Sequence, residues 1–423
     1  AEEYGVLAFS LAIDGSARFL NMADGSELKR IQVSGPGQRI SASARGSDGA
    51  LVLGYEDGSV RIVRDSYSYT VRDGQRRVAP VLDYPWGGAA LQLGEEPVRR
   101  LAIGDGSQRI VAQFADGGLA LWQLPEAPAF NAPGVPTPQA ASTDLGIQPT
   151  ASDLYVLDGG RWLLLLNRAG AYRLWSLVDA PVLVAEGALF DAGVTLTAST
   201  VLQGELSLVA ASSAGGLHRY LVTGRGEAGQ LTRVRSYDNA GVVIERLLPE
   251  RRRRGFLAFG NGELQWFHAT AGERSLRAPL VLAPGDALAL SPRADRLLVA
   301  DGQGHIRQWG LKNPHPEVSL TSLWRKVWYE SYEEPAWVYQ SSASSNDYES
   351  KYSMTPLAFG TIKAAFYAML FATPVALGSA IYTAFFMAPS LRRRIKPLVE
   401  LMEAMPTVIL GFLAGLWLAP LVE

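Results

Sequence analysis

Leu51–Val63 reads LVLGYEDGSVRIV. An apolar run enters a turn at Asp57-Gly58, and beyond it Val60 and Ile62 alternate with Ser59 and Arg61. A tight turn needs positive φ, which glycine supplies at little steric cost, so the stretch predicts a β-hairpin. Six further stretches repeat the form. They are LAIDGSARFL, IVAQFADGGLALW, LLLLNRAGAYRLW, LVAASSAGGLHRY, LAFGNGELQWF and LLVADGQGHIRQW. The turn glycines are Gly15, Gly58, Gly117, Gly170, Gly216, Gly262 and Gly304, recurring every 42 to 59 residues. That interval is the period of a β-propeller blade, and the alternation gives each strand one buried face. Residues 1–320 are therefore expected to form an all-β, seven-bladed, WD40-like propeller, although the usual His and Trp-Asp pairs are missing. A pair of β-sandwiches is the alternative. The first blade lacks its innermost strand in this reading, which fits a truncated start or a closure strand borrowed from elsewhere. The longer intervals carry visible insertions: a loop with Pro125, Pro128, Pro133, Pro136 and Pro138, and an excursion through Tyr84-Pro85-Trp86-Gly87-Gly88.

The 423 residues carry a net charge of -2, which gives no sign of nucleic-acid binding, and no cysteine, which excludes disulfides and thiolate metal sites. The four histidines, His218, His268, His305 and His315, are scattered, with no second His or carboxylate at ligand spacing. No metal site and no cofactor are expected. Neither a G-x-S-x-G elbow nor an H-E-x-x-H motif is present, so no enzyme chemistry is assigned. Glu95-Glu96 reads as a solvated pair. Arg251-Arg252-Arg253-Arg254 reads as a solvated loop or as a local field for an anionic partner.

Residues 321–354 form a neck of different composition. Trp324, Trp328, Tyr329, Tyr332, Trp337 and Tyr339 crowd together, followed by the Ser-rich piece Ser341–Ser345. Amphipathic rings favour a headgroup zone, or they pack the base of the propeller.

Residues 355–388 read TPLAFGTIKAAFYAMLFATPVALGSAIYTAFFMA, with no charge from Ala364 onward. At ~1.5 Å per residue, the uncharged part spans roughly 37 Å as a helix, against ~30 Å of bilayer hydrocarbon. It is expected to cross a membrane. Lys363 lies near its start, where it can snorkel. Pro374 predicts neighbouring helices, and Gly378 keeps one face small for packing. Arg392, Arg393, Arg394 and Lys396 then make residues 389–405 a basic loop, cytoplasmic by the positive-inside rule and able to lie in the interface. Leu391, Ile395, Leu398, Met402 and Met405 give that segment an apolar stripe, with Glu400 and Glu403 on other faces and Arg393 or Arg394 as their simplest partners. Residues 406–423 begin a second span, with Gly411 and Gly415 in a G-x-x-x-G packing pattern. The chain starts Ala1-Glu2-Glu3-Tyr4 without a signal peptide and stops in or just past an apolar run, so a fragment of a longer protein is expected.

Two motifs flank the first span: P-L-x-x-G-T-x-K from Pro356 and K-P-x-x-E-x-x-x-x-x-P-T-V from Lys396. Over about the last quarter of the chain they resemble the permease subunits of bacterial phosphate ABC transporters, of the PstC type. The neck's VWYESYEEPAWVYQSS is similar to the long form, in which a large domain follows a first span. The resemblance implies an inner-membrane importer with a periplasmic propeller, in contact with membrane lipid. It also implies a second permease subunit, an ATPase dimer and a periplasmic phosphate-binding protein as partners. No Gly-Lys dipeptide exists, so ATP chemistry would belong to the ATPase. The family's E-A-A coupling loop is absent from these residues. Among matching positions, Arg393, Arg394, Lys396, Glu400, Glu403 and, less directly, Lys363 are expected along the substrate path, or else serve as topology signal and interfacial pairs. The alternatives are a membrane-anchored propeller that acts as an interaction or sensor module, and a propeller enzyme.

Overall fold

The computed structural model describes residues 6–46, 49–72, 75–104, 108–124, 141–224, 228–343, 348–403, 405–418 and 420. The chain divides into two compact units, Ala1–Met354 and Thr355–Glu423. The first unit is a seven-bladed propeller followed by the neck. The proline loop at Pro125–Pro138 lies outside the described residues.

The first blade is β1 (Leu7–Leu11), β2 (Ser16–Asn21) and β3 (Glu27–Gln32). The second is β4 (Ile40–Arg45), β5 (Ala50–Tyr55), β6 (Ser59–Arg72) and β7 (Gln75–Asp83), with β8 (Leu91–Gln92) added on β6. The third is β9 (Val98–Gly104), β10 (Arg109–Phe114), β11 (Gly118–Gln123) and β12 (Ala141–Ile147). The fourth is β13 (Asp153–Leu157), β14 (Trp162–Leu166), β15 (Ala171–Ser176) and β16 (Val182–Ala188). The fifth is β17 (Leu196–Val201), β18 (Ser207–Ser212), β19 (Leu217–Thr223) and β20 (Gln230–Ser236). The sixth is β21 (Arg246–Pro249), β22 (Gly255–Gly260), β23 (Glu263–His268) and β24 (Leu276–Pro279). The seventh is β25 (Ala287–Leu290), β26 (Arg296–Ala300) and β27 (Ile306–Gly310). Every pair is antiparallel and joins neighbours in sequence, apart from β8 on β6.

The repeated hairpin is the middle of each blade. Its first strand is buried on both faces, as in β14, β18 and β22, so these strands read as continuous apolar runs rather than alternating ones. The reason is that the cores lie between blades. Val52, Val60 and Ile62 of the second blade pack with Val98, Ile110 and Trp122 of the third. Phe256 and Phe267 of the sixth pack with Val209 and Tyr237 from the fifth. Six of the seven expected turn glycines hold positive φ; in the fifth blade it is Gly215 and not Gly216. The 59-residue interval is explained by the long β6–β7 hairpin together with the excursion that buries Trp86.

Among the described residues the first blade has three strands: β1 forms the Gly15 hairpin, and its Phe9 and Leu11 line the central channel. The seventh blade, in turn, has no outer strand among the described residues.

The neck is folded. Ser319 caps α1 (Leu320–Trp324) through a reciprocal bond with Ser322, Val327 bridges Ala336, and β28 (Tyr339–Gln340) pairs with β29 (Lys351–Tyr352). Ser344 and Ser345 lie outside the described residues.

The second unit begins with α2 (Thr355–Ile381), which passes through Pro374 and ends in a π-helical turn, Tyr382–Phe386. Then follow α3 (Pro389–Glu403), α4 (Thr407–Leu413) and a π-helical turn, Ala414–Leu418. The basic segment expected as a loop is thus a helix, opened by Pro389, whose missing N–H is no loss at that position. Its apolar stripe is open, with Leu391, Leu398 and Met405 all exposed.

Candidate functional site

The most heavily built polar site joins the neck to the fifth and sixth blades. In β19, Leu217, Arg219 and Leu221 share one phase of the strand's alternation, so Arg219 points where leucines point. It is wholly buried. Its Nε donates to Ser207 Oγ (2.9 Å) and its Nη1 to the carbonyls of Ala269 and Trp328 (3.2 Å each). Ser207 Oγ in turn donates to Glu330 Oε1 at 2.6 Å. Arg254 Nε donates to Glu330 Oε2 at 2.6 Å. The Glu330 amide donates to Glu349 Oε2 at 2.7 Å. Arg219 Nη2 stands 3.7 Å from Glu330 and 3.6 Å from Glu349. All four charged side chains are at most 5 % exposed, so two cations and two anions neutralise one another away from water. Burial raises the Glu349 pKa; Arg219 opposes that shift and Glu330 reinforces it.

The arginine run is therefore divided by task and is not a solvated loop. Arg254 enters this knot, and Arg253 holds Glu250 at 2.7 Å and the Asn313 carbonyl at 3.0 Å. Arg251 lines the channel, where burial and the Arg45 charge push its pKa down to about 10. Arg45 pairs with Asp65, which also accepts from Tyr67 at 3.1 Å. The channel encloses about 1030 Å³ between the inner strands, with Arg99, Arg100, Asp153 and Glu205 also on its wall.

The neck's aromatics divide likewise. Tyr329 is buried, and its ring, with those of Tyr332 and Tyr348, surrounds the Lys351 ammonium at 4.8–5.8 Å. Trp324, Trp337 and Tyr339 stay exposed, with Lys326 over the Trp337 ring at 4.9 Å.

Among the histidines, His305 and His315 do meet carboxylates, Asp301 at 3.1 Å and Glu317 at 3.3 Å, contrary to the expectation from spacing. Both are exposed, and no group of three metal-ligating side chains occurs among the described residues. His268 is buried. Its Nδ1 lies 2.8 Å from Thr270 Oγ1 and 3.3 Å from the Thr270 amide nitrogen; burial and nearby Arg219, Arg253 and Arg254 push its pKa down to about 3. Glu95 and Glu96 are exposed, as expected.

In the second unit, Lys363 Nζ lies 5.9 Å from the Tyr367 ring of the same helix. Arg393, Arg394, Lys396, Glu400 and Glu403 all lie on α3, and Lys396 reaches Glu400 at 4.0 Å with both side chains exposed. Arg392 has a further role: its Nη2 donates to the Ala384 carbonyl at 2.6 Å, capping the end of the preceding helix. A Cβ at Gly378, Gly411 or Gly415 would meet nothing within 4 Å, so these small faces are open.

The knot residues Arg219, Glu330 and Glu349 escaped the sequence reading. The available signal was an arginine in the apolar phase of LHRYL.

No family model and no curated protein matches the chain. Among solved structures, the β-propeller domain of Cps50 (Swd1) from Myceliophthora thermophila is similar at a TM-score of 0.50 and 11% identity, over 73% of this chain and 94% of that one. A chain of the mitotic checkpoint complex aligns at a TM-score of 0.46 and 14% identity, over 71% of this chain and 83% of that one. The first likeness supports the propeller fold, and nothing further is drawn from it.

Proposed function

We propose that this chain is part of a permease subunit of an ATP-driven phosphate importer, with the propeller outside the cytoplasm. The observation that carries the reading is Thr355–Phe386: 32 residues, apolar, with none of its most hydrophobic window buried. Phe366, Phe371, Val375 and Phe385 are each more than 60% exposed. A continuous apolar surface of that length is unfavourable in water by about 25 cal/mol per Å² and suits lipid. Arg393, Arg394 and Lys396 follow directly, on the side that positive charge marks as cytoplasmic. The two flanking motifs supply the transporter and the phosphate. In this reading α3 presents cations to an anionic substrate, the open glycine faces of α2 and α4 receive helices of the second permease, and a partner ATPase supplies the energy.

The test is phosphate uptake at limiting phosphate in cells that carry the full-length gene. Arg393→Gln with Arg394→Gln should lower uptake at normal membrane levels. Uptake that survives deletion of the gene in a strain with no other importer refutes the proposal.

A second reading, a membrane-anchored interaction or sensor module, is favoured by the propeller and neck forming a compact unit of their own. It predicts that removing residues 1–320 spares uptake and alters partner capture. Loss of uptake with normal assembly counts against it.

A further inference from the structure

One end of the central channel carries a positive charge that the described residues leave uncompensated. In blades two to seven the inner strand comes first, so the inner strands run the same way along the channel and their ends sort its charges. Arg45 closes β4, and Arg251 follows β21 by two residues, so both stand at the exit ends of their strands. Arg99 and Arg100 lie near the start of β9, at the other end. There Arg100 Nε donates to the Ser152 carbonyl at 2.8 Å, and Asp153 opens the adjacent β13.

At the exit end one carboxylate serves two guanidiniums. Arg45 pairs with Asp65, whose side chain is buried and also accepts from Tyr67 at 3.1 Å. Arg251 has no hydrogen bond or salt bridge among the described residues, and the titratable groups that act on it are Arg45, Asp65 and Tyr67. Glu250, its neighbour in sequence, turns instead to Arg253 and to Trp266 Nε1, at 2.7 Å each. Glu205 lines the same end, beyond β17, but is not among the groups that act on Arg251. A half-buried guanidinium thus stands against a like charge, and the nearest carboxylate is already committed. Withdrawing a charge from water in this way is unfavourable until a counter-ion completes it.

We infer that the exit end of the channel is a binding site for a small oxyanion, held between Arg251 and Arg45. A guanidinium presents a planar fork of N–H donors that matches the paired oxygens of a phosphate or a carboxylate. Asp65 fixes the Arg45 fork in place, and Arg251 supplies the second. One added negative charge neutralises the group. The channel's volume of about 1030 Å³ leaves room for an organic remainder, so the class takes in a free anion and small molecules that end in one. This goes beyond the permease reading, because it gives the propeller a ligand of its own.

The test is titration calorimetry on the purified full chain in detergent, in a zwitterionic buffer, with inorganic phosphate, glycerol 3-phosphate and succinate as probes. At least one should bind saturably, and the order of the three identifies the oxyanion and whether a carbon skeleton contributes. Arg251→Gln should weaken that binding at least about tenfold, through loss of one charge-assisted fork. Arg252→Gln makes the same charge change at an exposed neighbour that does not line the channel, and should shift it less than about twofold. Melting supplies a second readout. The bound probe should raise the Tm of the parent and not of Arg251→Gln, and the variant without anion should melt no lower than the parent, since it removes an uncompensated charge. No saturable binding of any probe up to roughly 10 mM overturns the inference, as does equal affinity in Arg251→Gln. So does a lower Tm of the anion-free variant, which means that the chain itself compensates Arg251. A phosphate site among the membrane helices would survive Arg251→Gln, so this inference can fail while the permease reading stands.

Discussion

Glu330→Gln tests whether the buried charges hold the neck to the propeller. The carboxylate accepts two short bonds, from Ser207 and Arg254, and faces Arg219 at 3.7 Å. A glutamine keeps the shape and one acceptor but removes the charge. Arg219 and Arg254, 0 % and 4 % exposed, are then left with Glu349 as the remaining carboxylate of the knot. Removing one member of a buried ion pair typically costs about 3–5 kcal/mol, because the partner stays buried without compensation. For a unit of this size that lowers Tm by roughly 4–7 °C. Differential scanning fluorimetry reads the shift, and deuterium exchange at Trp328–Tyr332 locates it. The mechanism also fixes a non-additive control. Glu330→Leu with Arg254→Leu removes charges of both signs and should cost less than the sum of the single changes. A Tm within 1 °C of the parent, with exchange at the neck unchanged, would refute the argument that the knot carries the docking.

Other consequences are open to measurement. His268 is neutral in the fold, with its pKa pushed down to about 3 from the ordinary 6.5, so below pH 6.5 the unfolded chain binds a proton that the fold refuses. Stability is complete above pH 6.5 and is lost as pH falls toward 3, at up to about 1.4 kcal/mol per pH unit. Denaturant melts from pH 7 to 4 should show that slope flattened in His268→Gln, whose amide oxygen can still accept from Thr270; equal slopes would exclude it. Taking the difference between the two proteins removes the opposite trend from Glu349, whose raised pKa favours the fold at low pH. Gly58→Ala should destabilise far more than Gly262→Ala. Both have positive φ, worth about 1–2 kcal/mol for an L-residue, but a Cβ at Gly58 would lie 2.2 Å from the Gly94 carbonyl oxygen, against 3.4 Å from Val281 Cγ2 at Gly262. Chemical melts order the two, and equal losses would contradict the contact. Single cysteines at Ser342 and Ser390, both exposed, should react with an impermeant maleimide from opposite sides of the membrane. Labelling of both from one side would remove the span.

The propeller was legible because each blade repeats one local signal, an apolar run, a positive-φ glycine and a second strand. Counting seven such units needed no knowledge of tertiary contacts. What lay between blades was less visible. Alternation with one buried face does not describe Trp162–Leu166, which is apolar throughout and buried on both faces because neighbouring blades cover it. The knot was illegible for a similar reason: Arg219 and Glu330 are far apart in sequence, and nothing local in VWYESYEEP says which glutamate is buried. Glu330 is, while Glu333 and Glu334 are exposed. Along α3 the apolar stripe at helical spacing was readable although the segment was expected as a loop, whereas the capping of Ala384 by Arg392 depends on how the chain turns at Met387–Ala388.

The knot also sets an order of events during synthesis. Ser207 and Glu330 are 123 residues apart. At ~5–20 residues per second, the fifth blade waits roughly 6–25 s for its counter-charge after its own strands are made. During that interval Arg219 has Ser207 Oγ and the Ala269 carbonyl as partners but no carboxylate from the neck, so closing blade five around it would bury an uncompensated charge. The buried charges of the fifth blade are matched only once Glu330 and Glu349, just ahead of Thr355, have been made.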